Sequence, residues 1–256
     1  MLIYTTITRE DCPFPEQEYI NPKYKYVCFH SIDVPQRKGW EYIKIKNEVS
    51  DRHTYSKYKI LSHELFQEDC LVIDGKNVLT KNFYNNFEKE IQDYDSVLEA
   101  HNNVNCFFDE LIEWLLFPTI TYEEAVKILN FHVEQEYDFT IKEPVLSNFH
   151  YRKYTQKTID HNKLWWEYWL RTKKRDQLWW YLSRYKINNK VNWVKGSLAC
   201  TPKHQPLPEN DYWKWKLTNL NKIPELVKLI KQKTNIDYQV KQWLLEHRII
   251  GDTFYD

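Results

Sequence analysis

Two short stretches carry side chains that could act on a substrate. In "CLVIDGKN" (70–77) a run of buried-type residues ends on a carboxylate, Asp74, followed by Gly75 and Lys76. Ligands of open α/β sheets gather at the carboxyl ends of the strands. A carboxylate there, beside a glycine that lets backbone approach closely, suits a divalent cation and the phosphates it carries. Asp-Gly is also the commonest tight-turn pair, so a plain turn competes evenly with that reading. In "TKKRDQLWWYLSRYK" (172–186), five basic side chains and four aromatic rings surround one acid, Asp176. This is either a basic aromatic surface for nucleic acid or a helix start at which Asp176 and Gln177 do chemistry.

Other chemistries are excluded by what is missing. Four glycines supply neither G-x-G-x-x-G nor a Walker-type loop, and no G-x-S-x-G or H-E-x-x-H occurs. The five cysteines are scattered without a Cys-x-x-Cys pair, which suits reduced thiols. No run approaches the ~20 apolar residues of a membrane span, and "MLIYTTITRE" has no signal-peptide pattern. The expectation is a soluble cytoplasmic protein, in a host cytoplasm if viral. The formal net charge is zero over 256 residues, which argues against a non-specific nucleic-acid binder. Yet residues 171–195 hold eight basic side chains against Asp176 alone, a local balance of +7, and residues 88–113 hold eight acids against Lys89. Such polarity can steer an anionic partner.

These residues need a scaffold. Residues 2–8, 24–32, 40–45 and 69–75 read as strands, and 51–66 has apolar positions at helical spacing. Strand, helix and buried strand in that order make a βαβ unit and a parallel sheet. Helices follow at 81–92 and 122–136, a short strand at 96–101, and two helices within 163–186 that meet near 172–176. After the proline-rich stretch 201–210, two short helices form a C-terminal appendage.

In order, "IYTTIT", "YVCFHSID", "GWEYIKI", "KILSHELF", "LVIDGKNVL", "EAH", "CFFDE" and "RDQL" resemble the glycosyltransferase-like domain of the TOD/MUCI group, over about residues 2–186. "IDGK" and "RDQ" are its most specific words. The resemblance implies an α/β, GT-A-like (Rossmann-like) fold with a mixed, mainly parallel sheet flanked by helices. On that reading residues 1–206 form the glycosyltransferase domain and 207–256 the appendage. It implies a nucleotide-sugar donor of UDP type. Asp74 and Gly75 match the family's Asp-Gly, in the part played by a metal-binding D-x-D. Lys59 and His63 match the lysine and histidine of the preceding helix, His101 a later histidine, and Asp109–Glu110 an acidic pair. Arg152 matches an arginine, and Arg175, Asp176 and Gln177 the Arg-Asp-Gln. The family's arginines upstream of Lys59 have no clear counterpart; Arg52 and Lys57 are nearest.

The implied roles are as follows. Asp74, Gly75, Lys59, Arg152 and Asp33 bind the donor, and Asp74 with His204 or His101 holds Mn²⁺ or Mg²⁺. Asp176, Gln177 and Arg175 are catalytic: Asp176 orients sugar hydroxyls or serves as base, or Gln177 faces the sugar in a retaining transfer. Lys173, Lys174, Lys190 and Trp179 would receive the acceptor. That acceptor is a hydroxymethylated base in phage-type DNA or a cell-surface or capsular glycan. A non-catalytic nucleic-acid-binding module is the rival from another class.

Overall fold

The computed structural model describes residues 1–100, 104–117, 119–194, 199–200 and 219–238. Its first strands are built from the β-branched and aromatic runs: β1 (Leu2–Ile7), β2 (Lys25–His30), β3 (Glu41–Lys44) and β4 (Cys70–Ile73). Between β3 and β4 lie α1 (Asp51–Ile60) and the single turn α2 (Ser62–Leu65). The helix expected over 51–66 is thus broken at Leu61, whose φ of −91° and ψ of 42° leave the helical region. Next come β5 (Val78–Leu79), α3 (Lys81–Glu90), β6 (Ser96–Ala100), α4 (Phe107–Leu116) and α5 (Tyr122–Glu134). The chain continues through β7 (Val145–Arg152), α6 (Gln156–Trp169), α7 (Asp176–Ile187), β8 (Val191–Val194), β9 (Ala199–Cys200) and α8 (Ile223–Thr234).

Polar caps fix where the helices start. The side chains of Ser50, Thr80, Thr121 and Thr155 accept from first-turn amides of α1, α3, α5 and α6, each satisfying an amide that the helix leaves unpaired. Asn188, in the left-handed region at φ 55°, ends α7.

Seven strands form the main sheet in the order β3-β2-β1-β4-β7-β6-β8. All run parallel except β7, which lies antiparallel between β4 and β6. β5 and β9 make a separate two-stranded ribbon. The fold is therefore α/β with a mixed, mainly parallel sheet flanked by helices.

One face of the sheet is covered by α4, α5, α6 and α7 through a cluster that includes Leu98, Leu111, Ile128, Trp165 and Leu178, with α8 lying on α5. The other face packs against α3 through Leu71, Phe83, Phe87 and Phe149. Of the five tryptophans in 165–180, Trp165, Trp169, Trp179 and Trp180 are buried in the core, and Trp166 is partly buried against it. The domain boundary expected at 206/207 lies outside the described residues. Beyond it, Ile223, Leu226 and Ile230 of α8 join the first core cluster. No helix among the described residues is long and apolar enough to cross a membrane.

Candidate functional site

From β1 the sheet grows one way to β2 and β3, then the chain returns to lay β4 on the other side of β1. The carboxyl ends of β1 and β4 thus flank a topological switch point, where open α/β sheets hold ligands. Asp74 directly follows β4. Its amide donates to Asn148 O at 2.8 Å, and its carbonyl accepts from the Asn77 amide at 2.9 Å. The turn reading holds, and the turn presents the Asp74 carboxylate at the rim of the sheet.

Gly75 is needed for close approach. A Cβ there would meet Cys12 Sγ at 3.2 Å, Ile7 Cγ1 at 3.3 Å and the Pro13 carbonyl at 3.3 Å. Gly75→Ala is therefore expected to destabilise the fold by about 1–3 kcal/mol through overpacking; a urea melt reads this directly, and an unchanged midpoint would show that the 12–13 segment yields freely.

α1 brings two further groups. Thr8 Oγ1 donates to Asp51 O at 3.0 Å and ties the start of α1 to the end of β1. Tyr55 and Lys59 are four residues apart, so they share one helix face. Helical side chains lean toward the N-terminus, which carries the Lys59 stem back up toward the rim of the sheet. Tyr55 OH donates to Asp74 Oδ1 at 2.5 Å, and burial, then the neighbouring Asp74, push its pKa well up. Lys59 Nζ lies 3.7 Å from Asp74 Oδ1 and 3.1 Å from Asp176 Oδ2, with its side chain 4% exposed.

Asp176 opens α7, where the helix dipole favours a carboxylate. Its carbonyl accepts from Trp165 Nε1 at 2.7 Å, which locks the helix start to α6. Burial pushes the Asp176 pKa up, but the charges of Lys59, Arg52 and Arg175 and the Lys59 hydrogen bond reverse this, so the net direction is down. Asp176 is thus an anion at neutral pH.

Asp74, Gly75, Lys59 and Asp176 come together as expected. Gln177 is adjacent, but its amide donates to Val145 O at 3.2 Å and ties α7 to the start of β7. Asp33 is exposed on the same rim, three residues past β2. Lys173 and Lys174 lie in the turn before α7, and Lys174 Nζ is 3.9 Å from Glu124.

Other expected residues are held elsewhere. Arg175 turns toward α4: its guanidinium lies 3.2 Å over the Trp114 ring and donates to Thr119 Oγ1 at 3.4 Å. There it faces Glu110 and Glu113, whose pKa values burial pushes up, Glu113 to about 7. Asp109 accepts from the Asn105 amide at 2.8 Å and from Tyr238 OH at 2.5 Å. Arg152 pairs with Cys70, four residues before Asp74, or about 13 Å down the sheet. His63 is near it, 3.4 Å from Asn162 Nδ2. Trp179 is 1% exposed and donates to Thr172 Oγ1, so it has no free face. Lys190 lies past the far end of α7, a helix about 18 Å long, with its amide on Asp95. His101 and His204 lie outside the described residues.

The described residues do not make up a divalent-cation site. Such ions draw on several oxygen ligands, whereas Asp74 Oδ1 already accepts from Tyr55 and faces Lys59, and Lys76 follows where a second carboxylate would stand. No group of three His, Cys, Asp or Glu among the described residues could hold a metal ion.

Sequence reasoning missed Tyr55, although its i, i+4 spacing from Lys59 was there to be read. It also missed Asn148, whose side-chain amide donates to Glu99 Oε2 at 3.3 Å beside an irregularity between β6 and β7.

No protein-family model matches the chain, and no curated protein matches it. Among solved structures it is similar to the apo form of WbbM, a bifunctional glycosyltransferase, with a TM-score of 0.41 and 8% identity over 86% of this chain. The chain spans 44% of the length of WbbM. It is also similar to a protein assigned as a glucose-1-phosphate thymidylyltransferase of Bacillus anthracis, solved with sucrose. There the TM-score is 0.33 at 8% identity, over 95% of this chain and 99% of that one.

Proposed function

We propose that the chain is a glycosyltransferase that moves a sugar from a nucleotide-sugar donor, of UDP type, to an acceptor hydroxyl. One observation carries this reading: Lys59 bridges Asp74 and Asp176 at the carboxyl-end switch point of the sheet. Two carboxylates, each with lone pairs to spare and part of the side chain exposed, suit the hydroxyls of a sugar. The negative charge that grows on a departing diphosphate needs cationic groups. Lys59 and the exposed Arg52, whose charge acts on Asp176, are of that kind.

Asp176 is given the role of accepting hydrogen bonds from donor-sugar hydroxyls. Its depressed pKa makes it a weak base, which weighs against general-base work. Gln177 positions α7 through Val145 and is not assigned a contact with sugar.

Of the two acceptors, a glycan hydroxyl is preferred because the surface does not favour DNA. The basic segment does not remain one continuous track: Arg175 is turned inward, Arg184 lies 3.1 Å from Glu143, and Lys190 is beyond the other end of α7. A hydroxymethylated DNA base would need a stripe of free cations, with salt-sensitive binding.

The test offers UDP-, GDP- and CMP-sugars with glycan and hydroxymethylated-DNA acceptors, read by mass spectrometry. Transfer by the wild type is expected, with Asp176→Asn reducing kcat by about 10²–10³-fold while circular dichroism stays native. If no nucleotide-sugar is consumed and none raises the melting temperature, the proposal fails.

A further inference from the structure

Arg152 is buried to 1% exposure, and no acidic residue is its hydrogen-bond or ion-pair partner among the described residues. Its guanidinium instead holds the end of a helix. Nη1 donates to the Ile60 carbonyl at 3.2 Å and to Ser62 Oγ at 2.8 Å. Ile60 is the last residue of α1, and Ser62 is the first of α2, so one cation spans the break at Leu61. Nε donates to His150 Nδ1 at 3.2 Å, which fixes the guanidinium to its own strand. The ring of Trp165 covers it, 5.5 Å away, and the indole N–H of that same tryptophan donates to the Asp176 carbonyl.

Helix C-termini leave carbonyls unpaired and carry partial negative charge, so a cation there both caps and orients the helix. The carbonyl that Arg152 holds belongs to the residue next to Lys59. The stem of Lys59 must reach from that last turn back to Asp74 and Asp176. A shift of the last turn therefore moves the ammonium directly. Trp165 links the same guanidinium to the start of α7, so both partners of the Lys59–Asp176 pair rest on this arginine.

We infer that Arg152 is a positioning residue for the site. It clamps the C-terminal end of α1 and thereby sets where the Lys59 ammonium meets Asp176, without touching substrate. The catalytic part of this inference rests on the proposed glycosyltransferase reading; the mechanical part does not.

A double-mutant cycle between Arg152→Met and Lys59→Met tests it, with urea unfolding as the first readout. If the arginine acts through Lys59, removing it already weakens the lysine's contacts. The double variant then loses at least about 5-fold less in its unfolding equilibrium than the product of the two single losses. Independent losses would overturn the inference. So would a double loss larger than the product, which is the sign expected if the two cations merely repel each other.

Ser62→Ala, which removes one acceptor of the guanidinium, serves if Arg152→Met does not fold, and the same rule applies to its cycle. Arg152→Lys keeps the charge without the fork that spans Ile60 and Ser62, and is expected to restore little of the loss. In the second readout, kcat/KM for the donor, either single variant is expected to lower transfer at least about 10-fold. Adding the Arg152 change to Lys59→Met should lower it no further. If no nucleotide-sugar is turned over at all, the proposed function falls while the unfolding cycle still decides the role of Arg152.

Discussion

Lys59→Met is expected to lower the unfolding free energy by about 3–5 kcal/mol, the range for removing one partner of a buried ion pair. For a chain of this size the melting temperature then falls by roughly 10 °C. Methionine matches the aliphatic stem of lysine, so the loss reports the charge rather than a cavity. What remains is Asp176, 12% exposed at the side chain, and Asp74, 24% exposed, without the ammonium between them. Arg52 is exposed and offsets only a screened part of this. Thermal and urea melts of the variant provide the check. A midpoint within 2 °C of wild type, an interval about that of 0.5–1 kcal/mol, would mean that the Lys59 pair is not formed in solution.

The pH dependence of stability is the second large effect, and it follows from groups outside the site. His132, His150 and His161 are fully buried. Burial lowers each pKa from 6.5: His132 to about 4 against the pull of two backbone carbonyls, His161 to about 3, and His150 well below its ordinary value with help from Arg152. Below pH 6.5 the unfolded chain therefore binds protons that the folded chain refuses, so stability falls on acidification. Each histidine contributes a slope of about 1.4 kcal/mol per pH unit.

Three buried carboxyls work the other way. Burial raises Glu113 and Glu143 from 4.5 to about 7 and raises Glu110 well up, with Glu113 adding to the last. Between those values the folded chain holds protons that the unfolded chain has lost, so stability falls as pH rises. Over pH 4.5–6.5 the two sets of groups act with opposite sign, so the net slope is expected to be shallower there than below pH 4.5. Below 4.5 the histidines act without that offset, and the loss steepens to about 4 kcal/mol per pH unit until His132 titrates, with carboxylates of lowered pKa such as Asp176 adding to it. Urea unfolding at pH 3.5, 4.5, 5.5 and 6.5 measures the curve. His161→Gln should reduce the acid slope by about 1.4 kcal/mol per unit; an unchanged slope would show that His161 titrates normally.

β1 and β4, at the centre of the parallel half, were legible because they are buried on both faces. Leu2–Ile7 and Cys70–Ile73 are buried at every position, which a run of β-branched and aliphatic residues announces. β7 was not legible, and its composition explains why. "VLSNFHYR" carries Asn148, His150 and Arg152, and the last two are fully buried. An interior strand whose polar side chains find partners inside the protein shows no apolar alternation. The extent of α4 was less legible: Asp109 and Glu110 read either as a functional acidic pair or as helix-start acids, and they stand in its first turn while Leu111, Ile112 and Leu115 pack a core.

In the site, Asp74 and Asp176 were readable because each stands at the boundary of a strongly patterned element. The distribution of the cations was not. Whether Arg175, Lys190 or Arg152 reaches Asp74 depends on which way a helix start turns and how an antiparallel strand is registered. Residue spacing along the chain carries neither. Arg152 belonged to the matched set, but its strand runs away from the rim, so an expected donor contact became a helix clamp.

The bridge between Asp74 and Asp176 also has a consequence in time. A ribosome that has released Lys59 and Asp74 has not yet made Asp176, and at 5–20 residues per second the gap lasts roughly 5–20 s. During that interval the parallel half has its lysine but lacks the carboxylate that pairs with it most closely. Nor can β7, required between β4 and β6, have reached its slot any sooner than residue 152 has emerged. A nascent chain therefore carries Lys59 and Asp74 without their third partner for the 102 residues of synthesis from Asp74 to Asp176, and closing α7 onto α1 adds the second carboxylate and completes the candidate site in one event.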